Sequence, residues 1–309
     1  MKLIGIDGGG TKTEAVLFDE TGHILSWYRT GPCNPNLSGM EASAYLVKEC
    51  VETLCGTDGR VDGLYVGTAG IFTADDGPDF SARISRICGI QRVKCENDVM
   101  NVIAAATDAD RCVAGVCGTG MIVYAKEPAR TIRLSGWGYL LGEGGSGYDI
   151  GRDAIRAALG DAEGFSRETV LAPLVEKQAG MPLERLVLEV YRRPPAYVGS
   201  FAPLAFEADE AVDVVAHDIL LRNARAFADV LNYAAKTYDC GDQAVVSGGV
   251  ATNVCFSELL ARELTSGLRL IVPACPQVLG ACFNCARFSG IDPSPLRKRL
   301  SREYSPTSA

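Results

Sequence analysis

Histidine is almost missing from this 309-residue chain: it has only His23 and His217. A Cys/His metal site therefore has little to build on. The C-x-x-C pair Cys282 and Cys285, with Cys275 upstream, lacks a fourth ligand nearby in sequence. Long apolar runs are absent too, and nothing approaches the ~20 residues that span a bilayer. No signal peptide is visible, because Met1-Lys2-Leu3-Ile4-Gly5-Ile6 runs straight into Asp7 and three glycines. The expectation is a cytoplasmic protein without a membrane partner. Positive charge is scarce: 30 Lys and Arg stand against 38 Asp and Glu, a net charge of −8. The one short basic run is Arg297-Lys298-Arg299, so no nucleic-acid partner is expected. Two common nucleotide motifs are also missing. There is no Gly-x-x-x-x-Gly-Lys-Ser/Thr loop. The glycine-rich stretch after the first strand is followed by a strand rather than the helix a dinucleotide fingerprint requires.

What is present suffices for a large core: 47% hydrophobic and 22% charged residues. The length fits two domains or one fold with two lobes. The 12 cysteines lie scattered in apolar segments such as Val116-Cys117-Gly118 and read as buried, reduced thiols.

Residues 2–6, 13–18 and a run opening at 23–25 read as a three-strand meander. A helix over 40–55, a buried strand at 63–67, a helix over 79–88, a strand at 92–95 and a helix from Val99 follow. The pattern then restarts. Cys112–Cys117 is an apolar strand, Gly118-Thr119-Gly120 a turn and Met121–Ala125 a second strand. Two strand–glycine turn–strand units suggest two related lobes. Residues 146–240 read as mainly helical, with one helical face over 209–238 and Gly241 as its stop. Gln243–Ser247 returns to strand, broken by Gly248-Gly249, and the last ten residues read as a frayed tail.

The strongest chemical signal is Asp7-Gly8-Gly9-Gly10-Thr11-Lys12-Thr13. Three glycines between strands let several backbone N–H groups converge on phosphate oxygens, and Thr11 and Thr13 can add hydroxyl donors. Asp7 at the strand end sits beside a phosphate only if a cation intervenes, which makes it a candidate Mg²⁺ organiser through water. The competing reading is an ordinary glycine-rich hairpin. Gly118-Thr119-Gly120 gains its weight by matching this first turn. Ser247-Gly248-Gly249-Val250 would let a flat ligand lie close, with a helix N-terminus nearby, although a plain strand–helix turn explains it as well.

These motifs, in order with Glu96-Asn97-Asp98 and Gly136-Trp137-Gly138-Tyr139-Leu140-Leu141-Gly142, resemble the N-acetylglucosamine kinase family and the wider BadF/BadG/BcrA/BcrD ATPases. The match runs from residue 4 to about 286. The resemblance implies an α/β protein of the actin-like ATPase fold, with two RNase H-like lobes and an ATP cleft between them. The expected organisation is residues 1–111 as the N-terminal lobe, 112–286 as the C-terminal lobe and 287–309 returning to the first.

The resemblance also implies ATP and Mg²⁺ as cofactors. Gly8, Gly9, Gly10, Thr11, Lys12, Thr13, Gly118, Thr119, Gly120, Ser247, Gly248 and Gly249 would bind the nucleotide. Asp98 matches the family's catalytic base, a role that suits a carboxylate at a strand-to-helix loop receiving the proton of an attacking hydroxyl. The competing reading is that Asp98 caps the helix at Val99, with Asn97 as a rival cap, and both roles are compatible. Asn34, Thr119, Trp137, Gly138, Glu143 and Ser146 match substrate-facing positions. Trp137 can stack on a sugar face or fill core space, and the loop composition around Asn34 explains that residue without a sugar. Glu96 is a lesser candidate for the metal environment.

One departure concerns specificity. Many sugar-kinase members carry Gly-Asp-Glu-Gly-Ser where this chain has Gly142-Glu143-Gly144-Gly145-Ser146. Losing one carboxylate can change which hydroxyl compound is accepted.

The implied activity is phosphorylation of an amino sugar such as N-acetylglucosamine or glucosamine. The alternative is an ATPase that activates a partner enzyme. Its relatives read Asp-Ile-Gly-Gly-Gln-Asp at the second turn, where this chain has Val116-Cys117-Gly118-Thr119-Gly120-Met121. A nucleotide-binding regulator without catalysis is a third reading. The expected partner is a small-molecule sugar, and a homodimer is a possible assembly.

Overall fold

The computed structural model describes residues 1–56, 60–71, 73 and 75–305. The chain divides into two compact units: Met1–Asp108 with Pro273–Ala309, and Ala109–Val272.

The first unit carries a five-stranded sheet of order β3-β2-β1-β4-β5, with β1 at Lys2–Gly8, β2 at Thr13–Asp19, β3 at Ile24–Thr30, β4 at Gly63–Thr68 and β5 at Val93–Asn97. Strands β1 to β3 form an antiparallel meander, while β4 and β5 add in parallel on the other side of β1. The second unit repeats this plan. Its sheet has the order β10-β9-β6-β7-β8, with β6 at Cys112–Cys117, β7 at Met121–Lys126, β8 at Thr131–Arg133, β9 at Gln243–Ser247 and β10 at Arg269–Ile271. Again the first three strands are antiparallel and the last two parallel. The two glycine turns thus occupy equivalent positions, each joining the central strand of its sheet to the neighbouring meander strand.

The chain returns to the first unit at Pro273, earlier than the 287 expected from the sequence. Helix Gln277–Phe288 packs on β1 and on helix Val99–Ala106, and its small residues permit the close approach. A Cβ on Gly5 would stand 2.5 Å from the backbone nitrogen of Cys282, and one on Gly280 would stand 1.9 Å from the carbonyl oxygen of Asn101. Cys282 and Cys285 are therefore core residues of this unit. Burial pushes the Cys285 thiol up to about 12. Among the described residues no group of three or more His, Cys, Asp and Glu is arranged to hold a metal ion.

The tail differs from expectation as well. Ser294–Glu303 is helical, Leu300 is buried, and Tyr304 packs edge-on against Trp27 at 6.5 Å. Residues 306–309 of the expected frayed end lie outside the described residues.

The single helix expected over 209–238 is two helices, Ala202–Glu210 and Val214–Thr237. Val212 between them takes φ 65°. Asp213 then starts the second helix, its Oδ1 accepting from Val215 N at 2.8 Å and Ala216 N at 3.0 Å. Apolar spacing runs across this break, so periodicity alone joins what the N-cap separates. The helix ends at Thr237 with extended Tyr238 as its cap, so Gly241 is not its stop. No described helix is long and apolar enough to cross a membrane.

Candidate active site

In the first unit, β1, β4 and β5 are parallel neighbours, so their C-terminal ends share one edge. That edge collects Asp7, Thr68 and Asp98. The Gly9–Lys12 turn is closed by Gly9 N donating to Lys12 O at 2.9 Å. Gly8 O accepts from Ala69 N at 2.8 Å, and Gly9 O accepts from Cys33 N at 3.2 Å, which ties the turn to two other loops. Gly10, Thr11 and Lys12 are exposed at its tip, while Thr13 is buried and pairs with Gly8 in the ladder. The Lys12 ammonium lies 2.9 Å from Glu14, a buried carboxylate that also receives Arg29 at 2.6 Å.

Asp7 Oδ1 accepts from Asn101 Nδ2 at 2.7 Å, and the same amide reaches Gly67 O at 3.2 Å. Gly67 is required here, since a Cβ would stand 2.2 Å from Asn101 Oδ1. Burial raises the Asp7 carboxyl to about 7. The Asn101 hydrogen bond opposes this, and the negative charges of Asp98 and Glu14 add to it.

Asp98 stands at the start of helix Val99–Ala106, but Asn97 performs the cap: its Oδ1 accepts from Val99 N at 3.0 Å. Burial pushes the Asp98 carboxyl up to about 6, against the pull of nearby backbone N–H groups of Val99 and Asp98. Glu96 faces elsewhere, with Oε2 accepting from the Tyr65 hydroxyl at 2.8 Å and lying 3.0 Å from Lys94 Nζ.

Asn34 joins the same end through its loop. Thr68 Oγ1 donates to Cys33 O at 2.8 Å, and Asn36 Nδ2 donates to Gly70 O at 3.0 Å. Asn34 Oδ1 caps the short helix Pro35–Ser38 by accepting from Asn36 N at 3.0 Å. Its amide nitrogen carries no hydrogen bond among the described residues, so the donor end is available to a ligand.

The second unit holds its turn differently. Gly118 N donates to Gly120 O at 2.9 Å. The carbonyls of Gly118 and Thr119 accept from Gly147 N at 2.7 Å and Tyr148 N at 3.0 Å, the first amides of helix Gly147–Ala162. Ser146 and Asp149 form a capping box on that helix, with Ser146 Oγ 2.5 Å from Asp149 Oδ2. Ser146 is buried there, and its hydroxyl is engaged in the cap.

The Ser247–Gly249 turn closes over the end of β6. Val250 N and Ala251 N donate to Cys117 O at 3.1 and 3.2 Å. Gly248 has φ 97°, and a Cβ there would stand 2.4 Å from Cys117 O. The helix after this turn begins at Val254, capped by Asn253.

Trp137, Gly138 and Glu143 lie in the irregular, exposed stretch between β8 and helix Gly147–Ala162. Trp137 is 58% exposed, with the Arg133 guanidinium 4.5 Å from its ring centre, so it does not fill core space.

Five described glycines have open space where a Cβ would stand and a φ outside the left-handed region: Gly10, Gly31, Gly118, Gly120 and Gly249. The fold itself does not demand glycine at these positions. Four of the five sit in the three proposed nucleotide-binding turns, and Gly31 leads into the Asn34 loop. A bare backbone with room in front of it is what a polyphosphate approaching N–H groups requires.

Sequence reasoning missed Asn101, Asn36 and Glu14. Asn101 carried a signal, as the one polar residue within Val-Met-Asn-Val-Ile-Ala-Ala-Ala, three positions after Asp98.

Residues 4–282 match the model of the BadF/BadG/BcrA/BcrD ATPase family. The chain belongs to that family. It is 28% identical over 308 residues to an N-acetyl-D-glucosamine kinase of Dictyostelium discoideum, covering 91% of this chain and 96% of the relative. It is 27% identical over 263 residues to an N-acetylmuramic acid/N-acetylglucosamine kinase of Clostridium acetobutylicum, covering 82% and 86%. Among solved structures, a candidate N-acetylglucosamine kinase from Porphyromonas gingivalis superposes with a TM-score of 0.72 at 20% identity, covering 94% of this chain and 100% of that one. That likeness establishes the fold, the two-unit actin-like ATPase architecture in which each sheet has the RNase H-like strand order.

Proposed function

We propose that this chain is an ATP-dependent kinase transferring the γ-phosphoryl group to a hydroxyl of an amino sugar such as N-acetylglucosamine or glucosamine. The observation that carries the reading is the carboxylate arrangement at the strand ends of the first unit. Asp7 is held by Asn101 beside an open glycine turn, and Asp98 is a buried carboxylate that meets only backbone N–H groups, with no cation paired to it among the described residues. The two named kinases, each matching over more than four-fifths of this chain, support the substrate class.

Backbone amides of the turns 8–11, 118–120 and 247–249, other than those of Gly9 and Gly118 that close the first two turns, are the proposed phosphate and nucleotide contacts, and the open faces of Gly10, Gly118, Gly120 and Gly249 fit such a group. Mg²⁺, held through water by Asp7, would neutralise charge on the phosphate oxygens. Asp98 in its ionised form accepts the proton of the attacking hydroxyl; a value of about 6 keeps it ionised yet basic near neutral pH. The hydroxyl oxygen bonds to the γ-phosphorus as the bond to the β-phosphate oxygen breaks, and ADP leaves. Asn34, with its free amide donor, and Trp137, with its exposed ring, are the proposed sugar contacts.

A coupled ADP-release assay across amino sugars, acylated amino sugars and hexoses, with a no-acceptor control, tests this. The expected result is release that depends on an amino sugar. Equal release without any acceptor would instead indicate an ATPase acting on a partner. The Glu143-Gly144 departure makes the hexose arm informative, since one expected carboxylate is absent.

A further inference from the structure

Away from these turns, the second unit has a cavity of about 440 Å³, within the range of small-ligand sites. Helices Gly147–Ala162 and Val214–Thr237 and the segment 165–167 line it. Four arginines face it: Arg156, Arg167, Arg222 and Arg225. The one carboxylate among the lining residues is Asp218. This excess of positive charge stands on a chain whose net charge is −8.

The arginines are incompletely neutralised. Arg225 lies 3.1 Å from Glu263, but Arg167 reaches Asp218 only at 3.7 Å, with both side chains largely exposed. Arg222 Nε donates to a backbone carbonyl, that of Asp218, at 3.3 Å. Arg156 has no carboxylate partner among the described residues. Like charges gathered on one cavity repel each other, and an anion relieves that repulsion. Phe165, 77% exposed, and Leu221 add apolar surface for an organic body beside the charged group.

We propose that this cavity binds a phosphate group, free or as a monoester. Such a phosphate carries about −1.5 to −2 charge at neutral pH and offers three acceptor oxygens, a charge and acceptor set that the guanidinium groups lining the cavity can meet. The shared chemistry admits two sources, free phosphate and a phosphorylated sugar. The site does not depend on the kinase reading, although under that reading a phosphorylated sugar would be both product and occupant.

Hydrogen–deuterium exchange on the full chain tests it, with inorganic phosphate or an N-acetylhexosamine phosphate as probe. Either probe is expected to slow exchange across 156–167 and 215–225. Arg156→Gln/Arg222→Gln is expected to weaken that protection about tenfold or more in probe concentration, while protection of residues 8–13 and 118–120 by ATP is unchanged. Both substituted side chains are exposed, so the variant should fold, and its melting temperature verifies this. Protection by both probes identifies a phosphate site, and protection by the sugar phosphate alone identifies one that also reads the organic body. Absence of protection with both probes at millimolar concentration overturns the proposal, and so does full protection in the folded double variant. ATP protection at the glycine turns is scored separately, so loss of the nucleotide site is not mistaken for loss of this one.

Discussion

Asp98→Asn separates a catalytic role for this residue from a structural one. The substitution keeps the shape and removes the charge. Burial has raised the carboxyl from 3.8 to about 6, so the folded protein disfavours the ionised form. Two pH units of displacement correspond to about 3 kcal/mol at most, which the neutral amide no longer costs. At pH 7.5 the variant should therefore be as stable as the parent, or more stable by up to about 3 kcal/mol. Phosphoryl transfer should meanwhile fall by ~10²–10⁴, the usual worth of a positioned base. Parent kcat/KM should drop about tenfold per pH unit below 6, as the base becomes protonated. Denaturant unfolding, nucleotide binding and the coupled assay on one preparation give all the readouts. If Asp98 served mainly to hold the N-terminus of helix Val99–Ala106, the variant would keep its turnover and most of its stability, because an Asn side chain caps a helix about as well as Asp. That pattern would refute the reasoning.

Asn101→Ala should cost nucleotide-dependent activity through Asp7, because it removes a charge-assisted hydrogen bond worth about 1.5–3 kcal/mol; the Mg²⁺ concentration for half-maximal rate should rise. Gly10→Ala and Gly118→Ala should leave the melting temperature within a degree or two, yet weaken ATP binding about tenfold, whereas Gly248→Ala should unfold at distinctly lower temperature, because its Cβ meets Cys117 O at 2.4 Å and its φ is 97°. The nucleotide-free protein should lose stability as pH rises from about 4 to about 7. Asp7 and Asp98 bind protons more tightly folded than unfolded, so the folded state holds more protons across that window and rising pH favours unfolding. Urea titrations of the parent and of Asp7→Asn should show the slope lessened in the variant.

The sequence by itself determined much of this protein. Glycine turns between short strands occur at residues 8–11 and 118–120, Asp7 lies next to the last residue of β1, and Asp98 directly follows β5. These features follow from local backbone chemistry: glycine where N–H groups must converge, and apolar runs where strands are buried. The two turns alone mark the repeat that the two five-stranded sheets carry through.

Other features depended on contacts far apart in sequence. Helix Gln277–Phe288 belongs to the first unit because Gly5 and Gly280 let backbones approach, and nothing local to residues 277–288 states which sheet they meet. Apolar periodicity passes through Val212, so only the cap at Asp213 ends one helix and begins another. Asn101 reaches Asp7 across 94 positions of chain. The arginines facing one cavity come from two helices and a loop. Local propensity acts over a few residues, whereas side-chain partners are chosen by packing, and packing is decided only when the whole chain has folded.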